Sequence, residues 1–222
     1  MLIGGLLKFS LIDYPGKVAA VIFTQGCNYR CPFCHNPELV LPEFFNPPIQ
    51  VDDVMAFLTQ RRGQLQGVVV TGGEPTLHPD LKDFIRRIKA LGFLVKLDTN
   101  GSHPDVLRGI LQEDLVDLVA MDIKSSLEGY CKAAGVAADL GCVKESIALI
   151  KGSGVKYFFR TTVLKSIVSE DDIRQIRALL GVTKDYKLQR GNLEGKVLNR
   201  DILDGPGEYS DAEWARIQAT IL

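Results

Sequence analysis

Cys27, Cys31 and Cys34 stand in the pattern C-x3-C-x2-C within Thr24-Gln25-Gly26-Cys27-Asn28-Tyr29-Arg30-Cys31-Pro32-Phe33-Cys34-His35-Asn36. Cysteine thiolates are the ordinary ligands of iron–sulfur clusters, usually four to a cluster. Three in one short loop can hold three irons of a four-iron cluster and leave the fourth without a protein ligand. An iron with an open position can bind and reduce a substrate. Zinc prefers four ligands, commonly as two separated pairs. The nearest fourth ligand, His35, directly follows Cys34 and would struggle to reach the same ion. Cys131 and Cys142 are too far apart to make an obvious second pair, and they read as ordinary core or surface thiols. A structural zinc loop and a trio of unliganded thiols are the bland alternatives.

Further polar residues close the segments that follow. Thr71-Gly72-Gly73-Glu74-Pro75 pairs glycines, which let a backbone approach a ligand, with a carboxylate suited to an ammonium group. Alone, that segment reads equally well as a strand-to-helix turn. Leu97-Asp98-Thr99-Asn100-Gly101 and Met121-Asp122-Ile123-Lys124 bring two more carboxylates and a lysine. The bland readings are a turn residue at Asp98 and a surface pair of Asp122 with Lys124. Arg160 lies in Phe158-Phe159-Arg160-Thr161-Thr162-Val163, where an arginine paired with an acid at the core edge is the plain alternative. His78 reads as a turn or cap residue, and Trp214 as a packing residue.

The elements that must position these residues alternate along the chain. Apolar runs suited to parallel strands covered on both faces occupy Val18 to Thr24, Gly67 to Thr71, Phe93 to Asp98, part of Leu115 to Ile123, Val155 to Val163 and Tyr186 to Gln189. Helical patterns fill Val51 to Arg62, Leu81 to Leu91, Pro104 to Gln112, Leu140 to Lys151, Glu170 to Leu180 and Asp211 to Leu222. This βα alternation predicts an α/β fold with a parallel sheet and right-handed crossovers. About six units, against the eight of a closed barrel, predict an open three-quarter (β/α)6 barrel with the cysteine loop after its first strand. A doubly wound open sheet is the alternative. In such folds the site forms beyond the carboxyl ends of the strands, where the distinctive polar residues all fall. The stretch Gly191 to Gly207 is rich in Gly, Asp and Asn and reads as a flexible loop near the site mouth.

The chain has 222 residues, 46% hydrophobic and 24% charged, with a formal net charge of −1. That suits one globular domain over residues 1–222, and nothing in it suggests a nucleic-acid binder, which would show a basic stripe. No apolar run is long enough to span a membrane. The apolar start, Met1 to Lys8, has neither a basic leader nor a cleavage site, so a cytoplasmic protein is expected. In a reducing compartment a tight cysteine cluster points to metal rather than to disulfides.

On these residues the chain resembles the radical S-adenosylmethionine superfamily, whose cluster loop has an aromatic residue before its last cysteine, here Phe33. The resemblance implies that the open iron of a 4Fe-4S cluster chelates the amino and carboxylate groups of S-adenosylmethionine. It further implies cleavage to methionine and a 5′-deoxyadenosyl radical. Gly72, Gly73 and Glu74 are similar to the segment that binds the methionine amino group. The Asp98-Thr99-Asn100-Gly101 and Asp122-Ile123-Lys124 segments resemble those of glycyl-radical-enzyme activating enzymes. This implies Lys124 against the cofactor carboxylate, Asn100 and Arg160 near the cofactor, and a monovalent cation beside Asp98 and Asp122. Phe9-Ser10-Leu11-Ile12-Asp13-Tyr14-Pro15-Gly16-Lys17, the cysteine loop and T-G-G-E-P-T together look like the anaerobic ribonucleoside-triphosphate reductase activating proteins. The implied substrate is then a backbone glycine of that reductase, and the implied reductant is flavodoxin or ferredoxin. No Cys-rich insert separates Cys34 from the second strand, so one cluster is expected. A small-molecule substrate, as in the carboxy-deazaguanine synthases, is the second implication, and a structural metal-binding protein the third.

Overall fold

All six apolar runs become strands, and a seventh strand precedes them. The computed structural model of the chain describes residues 1–181, 183–203, 205 and 208–219. In chain order the first half comprises β1 (Ile3–Ser10), β2 (Ala19–Thr24), α1 (Pro37–Val40), α2 (Val51–Gln60), β3 (Gly67–Gly72), α3 (Leu81–Ala90), β4 (Leu94–Thr99) and α4 (Pro104–Gln112). The second half comprises β5 (Leu118–Asp122), α5 (Tyr130–Ala134), α6 (Leu140–Gly152), β6 (Lys156–Val163), α7 (Glu170–Leu180), β7 (Tyr186–Arg190) and α8 (Asp211–Ala219). The end of the last expected helix, 220–222, lies outside the described residues, as do 204, 206 and 207 of the Gly191 to Gly207 stretch. No helix among the described residues is long and apolar enough to cross a membrane.

The strands form one seven-stranded sheet in chain order, β1 to β7. From β2 to β7 each strand runs parallel to the next. A strand order that never reverses winds in one sense and curls the sheet towards a barrel, whereas a doubly wound sheet reverses at a switch point. The partial-barrel expectation therefore holds, and the doubly wound alternative does not. β1 is antiparallel to β2, and its register slips between Ile3 and Gly5 and again between Leu7 and Ser10. Those irregularities, with Gly4 and Gly5 in the strand, explain why the segment shows no clean alternation in sequence.

Side chains two apart on a strand share a face. The outer face, with Ala20, Ile22, Val68, Val70, Val95, Leu97, Val119, Met121 and Phe159, joins the main core with the apolar stripes of the helices. Val54 and Leu58 of α2, Ile85 and Ile88 of α3, and Ile173 and Ile176 of α7 are fully buried there. The inner face changes character along its length. Near the amino ends it is apolar, where Tyr14, Ala19, Val21, Val69, Leu118, Ala120 and Phe158 form a second, smaller cluster. Towards the carboxyl ends the same face carries Lys96 and Asp98 of β4, Asp122 of β5 and Arg160 of β6. Asp98 pairs with Ala120, and Asp122 with Arg160, in the register of the sheet.

Candidate active site

β2 ends at Thr24, and Gly26, at φ 96°, turns the chain into the cysteine loop. Three neighbours hold that loop. The turn after β3 is the first: Gly73 donates its N–H to Thr24 O at 2.9 Å and Glu74 to Gly26 O at 2.8 Å. A Cβ on Gly73 would collide with Gly26 O, and one on Gly72 with the Thr24 backbone. The two glycines therefore allow one loop to lie against the other, besides lining the site. The second neighbour is α5, where Ala134 O accepts from Arg30 N–H at 2.7 Å. The third is the stretch after β7: Leu198 and Asn199 donate to Cys34 O and Pro32 O, each at 3.0 Å. At these residues the expected flexible loop is a strap tied to the cysteine loop. Within the loop, Arg30 donates to Cys27 O and Tyr29 O, at 2.6 and 2.8 Å.

The residues read from sequence as site candidates converge on one cavity of about 250 Å³ at the carboxyl ends of the strands. Its lining includes Cys27, Cys31, Phe33, Cys34, Gly72, Gly73, Glu74, Asp98, Asn100, Asp122, Lys124 and Arg160. Cys131 is exposed on α5 and Cys142 half-buried on α6, both outside that lining. His78 ends the short turn Pro75–Leu77, and its Nε2 lies 3.0 Å from Gln25 O. Trp214 packs on the main core from α8.

Glu74 is fully buried, and the chain itself satisfies much of its carboxylate. Oε1 accepts from Thr76 N–H at 3.1 Å, Thr76 Oγ1 at 2.5 Å and Thr99 Oγ1 at 2.8 Å, while Oε2 accepts from Asn100 N–H at 2.6 Å. Burial pushes this carboxyl upward, and the hydrogen bonds from Thr76, Asn100 and Thr99 oppose that shift. Glu74 thus caps the turn after β3 and ties it to the end of β4, as the turn reading expects, and it also lines the cavity.

The charged residues alternate in sign across the inner face. Lys96 is buried and pairs with Asp98, which also accepts from Thr71 Oγ1 at 3.3 Å. Arg160 Nη2 lies 3.7 Å from Asp98, and Arg160 Nε donates to Asp122 at 2.6 Å. Lys124 donates to the other Asp122 oxygen at 3.0 Å. The Asp122–Lys124 pair is therefore part of a largely buried network rather than a surface pair. Burial pushes the Asp122 carboxyl up, but Lys124 and Arg160 outweigh it and hold Asp122 well below the usual carboxylate range. Burial would depress the Lys124 ammonium, and Asp122 more than reverses this. Sequence reading missed Lys96 and Tyr29. Lys96 shares the inner-face parity of Asp98, a period-two signal open to sequence reading.

Burial pushes the Cys27 thiol up to about 12 and raises Cys31 and Cys34 as well. A bound metal would deprotonate them outright. No group of three or more His, Cys, Asp or Glu among the described residues is arranged for a single metal ion. The fit to a 4Fe-4S cluster rests on the donor set: three thiols from one loop, all lining one cavity beside Gly72 and Gly73.

A family model of the radical SAM superfamily matches residues 21–180. A protein of Methanocaldococcus jannaschii, provisionally named a glycyl-radical enzyme activating enzyme, is 34% identical over 202 residues, covering 85% of this chain and 79% of that one. The 7-carboxy-7-deazaguanine synthase of Methanopyrus kandleri is 33% identical over 136 residues, 52% of this chain and 53% of that one. The structure of SuiB from Streptococcus suis bound to S-adenosylmethionine superposes with a TM-score of 0.66 at 17% identity, covering 90% of this chain and 46% of that one, and so shares the fold. The chain belongs to the radical SAM superfamily, in its group of glycyl-radical enzyme activating enzymes. Membership implies a 4Fe-4S cluster and S-adenosylmethionine as cofactors.

Proposed function

We propose that this chain reductively cleaves S-adenosylmethionine and thereby generates a radical on a backbone glycine of the anaerobic ribonucleoside-triphosphate reductase. The observation that carries the reading is convergence. The three-cysteine loop, the Gly72-Gly73-Glu74 turn and the Asp98–Arg160–Asp122–Lys124 charges line one cavity. When bound, the cluster supplies the electron for the cleavage.

The chain's own residues bind, orient and seclude. Cys27, Cys31 and Cys34 would hold the cluster through three thiolates, leaving one iron without a protein ligand. Lys124, kept charged by Asp122, would meet the carboxylate of the methionine moiety. Glu74 Oε2 accepts one hydrogen bond among the described residues and retains capacity for the ammonium. Asn100 sits at the same turn through its N–H on Glu74. Buried Phe33 and Val40 supply an apolar wall against water. Arg160, bridging Asp98 and Asp122, holds the charged set in register. A monovalent cation beside Asp98 and Asp122 has less support, since both carboxylates already face built-in cations.

The choice of the reductase rests on the resemblance of residues 9–17 and of the cysteine loop, while the M. jannaschii relative, matched over most of its length, supports a glycyl-radical enzyme as partner without specifying which. A flavodoxin- or ferredoxin-type reductant and one cytoplasmic domain over 1–222 complete the proposal. A small-molecule substrate is the second reading, favoured by the similarity to the deazaguanine synthase over about half of each chain.

The test is anaerobic reconstitution with iron and sulfide, followed by reduction, S-adenosylmethionine and the reductase. The expected result is methionine, 5′-deoxyadenosine and a glycyl doublet on the reductase by electron paramagnetic resonance. Cleavage without that doublet would move the assignment to another substrate. Zinc-only stoichiometry with no cleavage would overturn the whole reading.

A further inference from the structure

Tyr29 sits between two cluster cysteines and is 3% exposed. Its ring packs edge-on against the fully buried Tyr130, with centroids 6.4 Å apart. Its backbone N–H donates to Cys27 Sγ at 3.4 Å. Tyr29 is among the residues that line the cavity, together with the three cysteines. Its buried hydroxyl has no hydrogen-bond partner among the described residues, nor do those of Ser125 and Tyr130, but of the three only Tyr29 belongs to the cavity lining. A buried hydroxyl left unmatched carries its full desolvation penalty, so such a group calls for a partner.

We infer that the Tyr29 hydroxyl donates a hydrogen bond to an inorganic sulfide of the bound cluster, making Tyr29 a positioning residue that sets the cluster's reduction potential. The inference rests on the cluster reading above. An iron–sulfur cluster brings sulfide acceptors into the cavity beyond the cysteine sulfurs. Hydrogen bonds to the sulfurs are one of the controls on cluster potential. A donor there stabilises the more negative, reduced state and raises the potential. The ring's contact with Tyr130 fixes the direction of the hydroxyl, so the bond depends on packing as well as on chemistry.

The experiment is a redox titration of the anaerobically reconstituted protein, followed by the spectrum of the reduced cluster, with iron and sulfide measured in each variant. Tyr29→Phe keeps the ring and its packing. It should assemble a full cluster, bind S-adenosylmethionine as the wild type does, and titrate at a lower potential. The expected shift is about tenfold in the reduced-to-oxidised ratio at a fixed potential, or about 59 mV for one electron. A fluorotyrosine at position 29 keeps the shape and strengthens the donor, so it should move the potential the other way. Tyr130→Phe removes a buried hydroxyl outside the cavity lining and should leave the potential unchanged.

An unchanged potential in a fully loaded Tyr29→Phe protein would overturn the inference, as would an equal shift in Tyr130→Phe. If Tyr29→Phe fails to hold its cluster, the fluorotyrosine protein decides, and an unmoved potential there overturns the inference. Failure of the wild type to assemble any cluster would instead overturn the reading on which the inference rests.

Discussion

The cavity at the carboxyl ends of the strands measures about 250 Å³, and another at their amino ends about 700 Å³. Both open on the inner face of the same sheet. The larger is bordered by Tyr14, Leu118 and Phe158 of the small apolar cluster, with Lys17, Lys156 and Asp185 also in its lining. Its buried Tyr14 hydroxyl is pushed up to about 12 by burial and, secondarily, by Asp117, which suits a packing residue. The smaller gathers three thiols, a buried carboxylate and an alternating set of charges. Size therefore does not mark the site. Convergence of chemistry at the carboxyl ends does, because each crossover loop there can add a side chain without disturbing the strands.

Breaking the two ends separately should give opposite results. Cys31→Ala should have the largest effect on chemistry: cluster assembly fails, cleavage of S-adenosylmethionine falls to background and the melting curve stays cooperative. Iron analysis, methionine release and circular dichroism read these outcomes, and retained cleavage would reject the ligand assignment. Asp122→Asn leaves Lys124 and Arg160 facing an amide. Affinity for S-adenosylmethionine should fall about tenfold, equivalent to about 1.4 kcal/mol. Stability should fall by about 2 kcal/mol, less than for a fully buried pair because the Asp122 side chain keeps 28% of its exposure. Equilibrium binding and urea unfolding separate the two losses.

At the other end, Phe158→Ala should cost about 3 kcal/mol of stability through cavity formation. The activity of each assembled cluster should stay unchanged. A large loss of activity per cluster would mean that the two ends are coupled. The smallest effects belong to Cys131→Ala and Cys142→Ala, each within about 0.5 kcal/mol of wild-type stability, with full cluster content. Loss of iron in either variant would bring that thiol into the ligand set.

Much of this contrast was legible in the sequence. The strand readings located all six parallel strands; the central ones read as mainly apolar because they are covered on both faces, whereas edge strand β7, Tyr186–Arg190, is half exposed and carries Lys187 and Gln189. Pro104–Gln112 and Glu170–Leu180 match the expected helices at both ends, the latter opened by a capping box from Ser169 to Asp172. Most candidate site residues stood out because they lie at or just past a strand end; Arg160 is the exception, falling within β6. β1 escaped because its glycines and register slips erase the period-two pattern. α5 escaped because five residues are too few to show a helical period, yet its last carbonyl, on Ala134, anchors the cysteine loop. Glu74 was visible as a ligand candidate, but its bonds to Thr99 and Asn100 join segments about 25 residues apart and have no local signature. Lys96 was hidden inside an apolar run, where only its parity with Asp98 betrays the inner face.

The central claim is that the carboxyl-end cavity holds a cluster whose open iron binds the methionine moiety of S-adenosylmethionine. The most direct measurement uses S-adenosylmethionine labelled with nitrogen-15 on its amino group, bound to the reduced, reconstituted protein, and read by electron–nuclear double resonance. The account predicts a hyperfine coupling between the labelled nitrogen and the cluster in the wild type, retained in Cys131→Ala. A fully assembled cluster that binds the labelled cofactor yet shows no such coupling would contradict it.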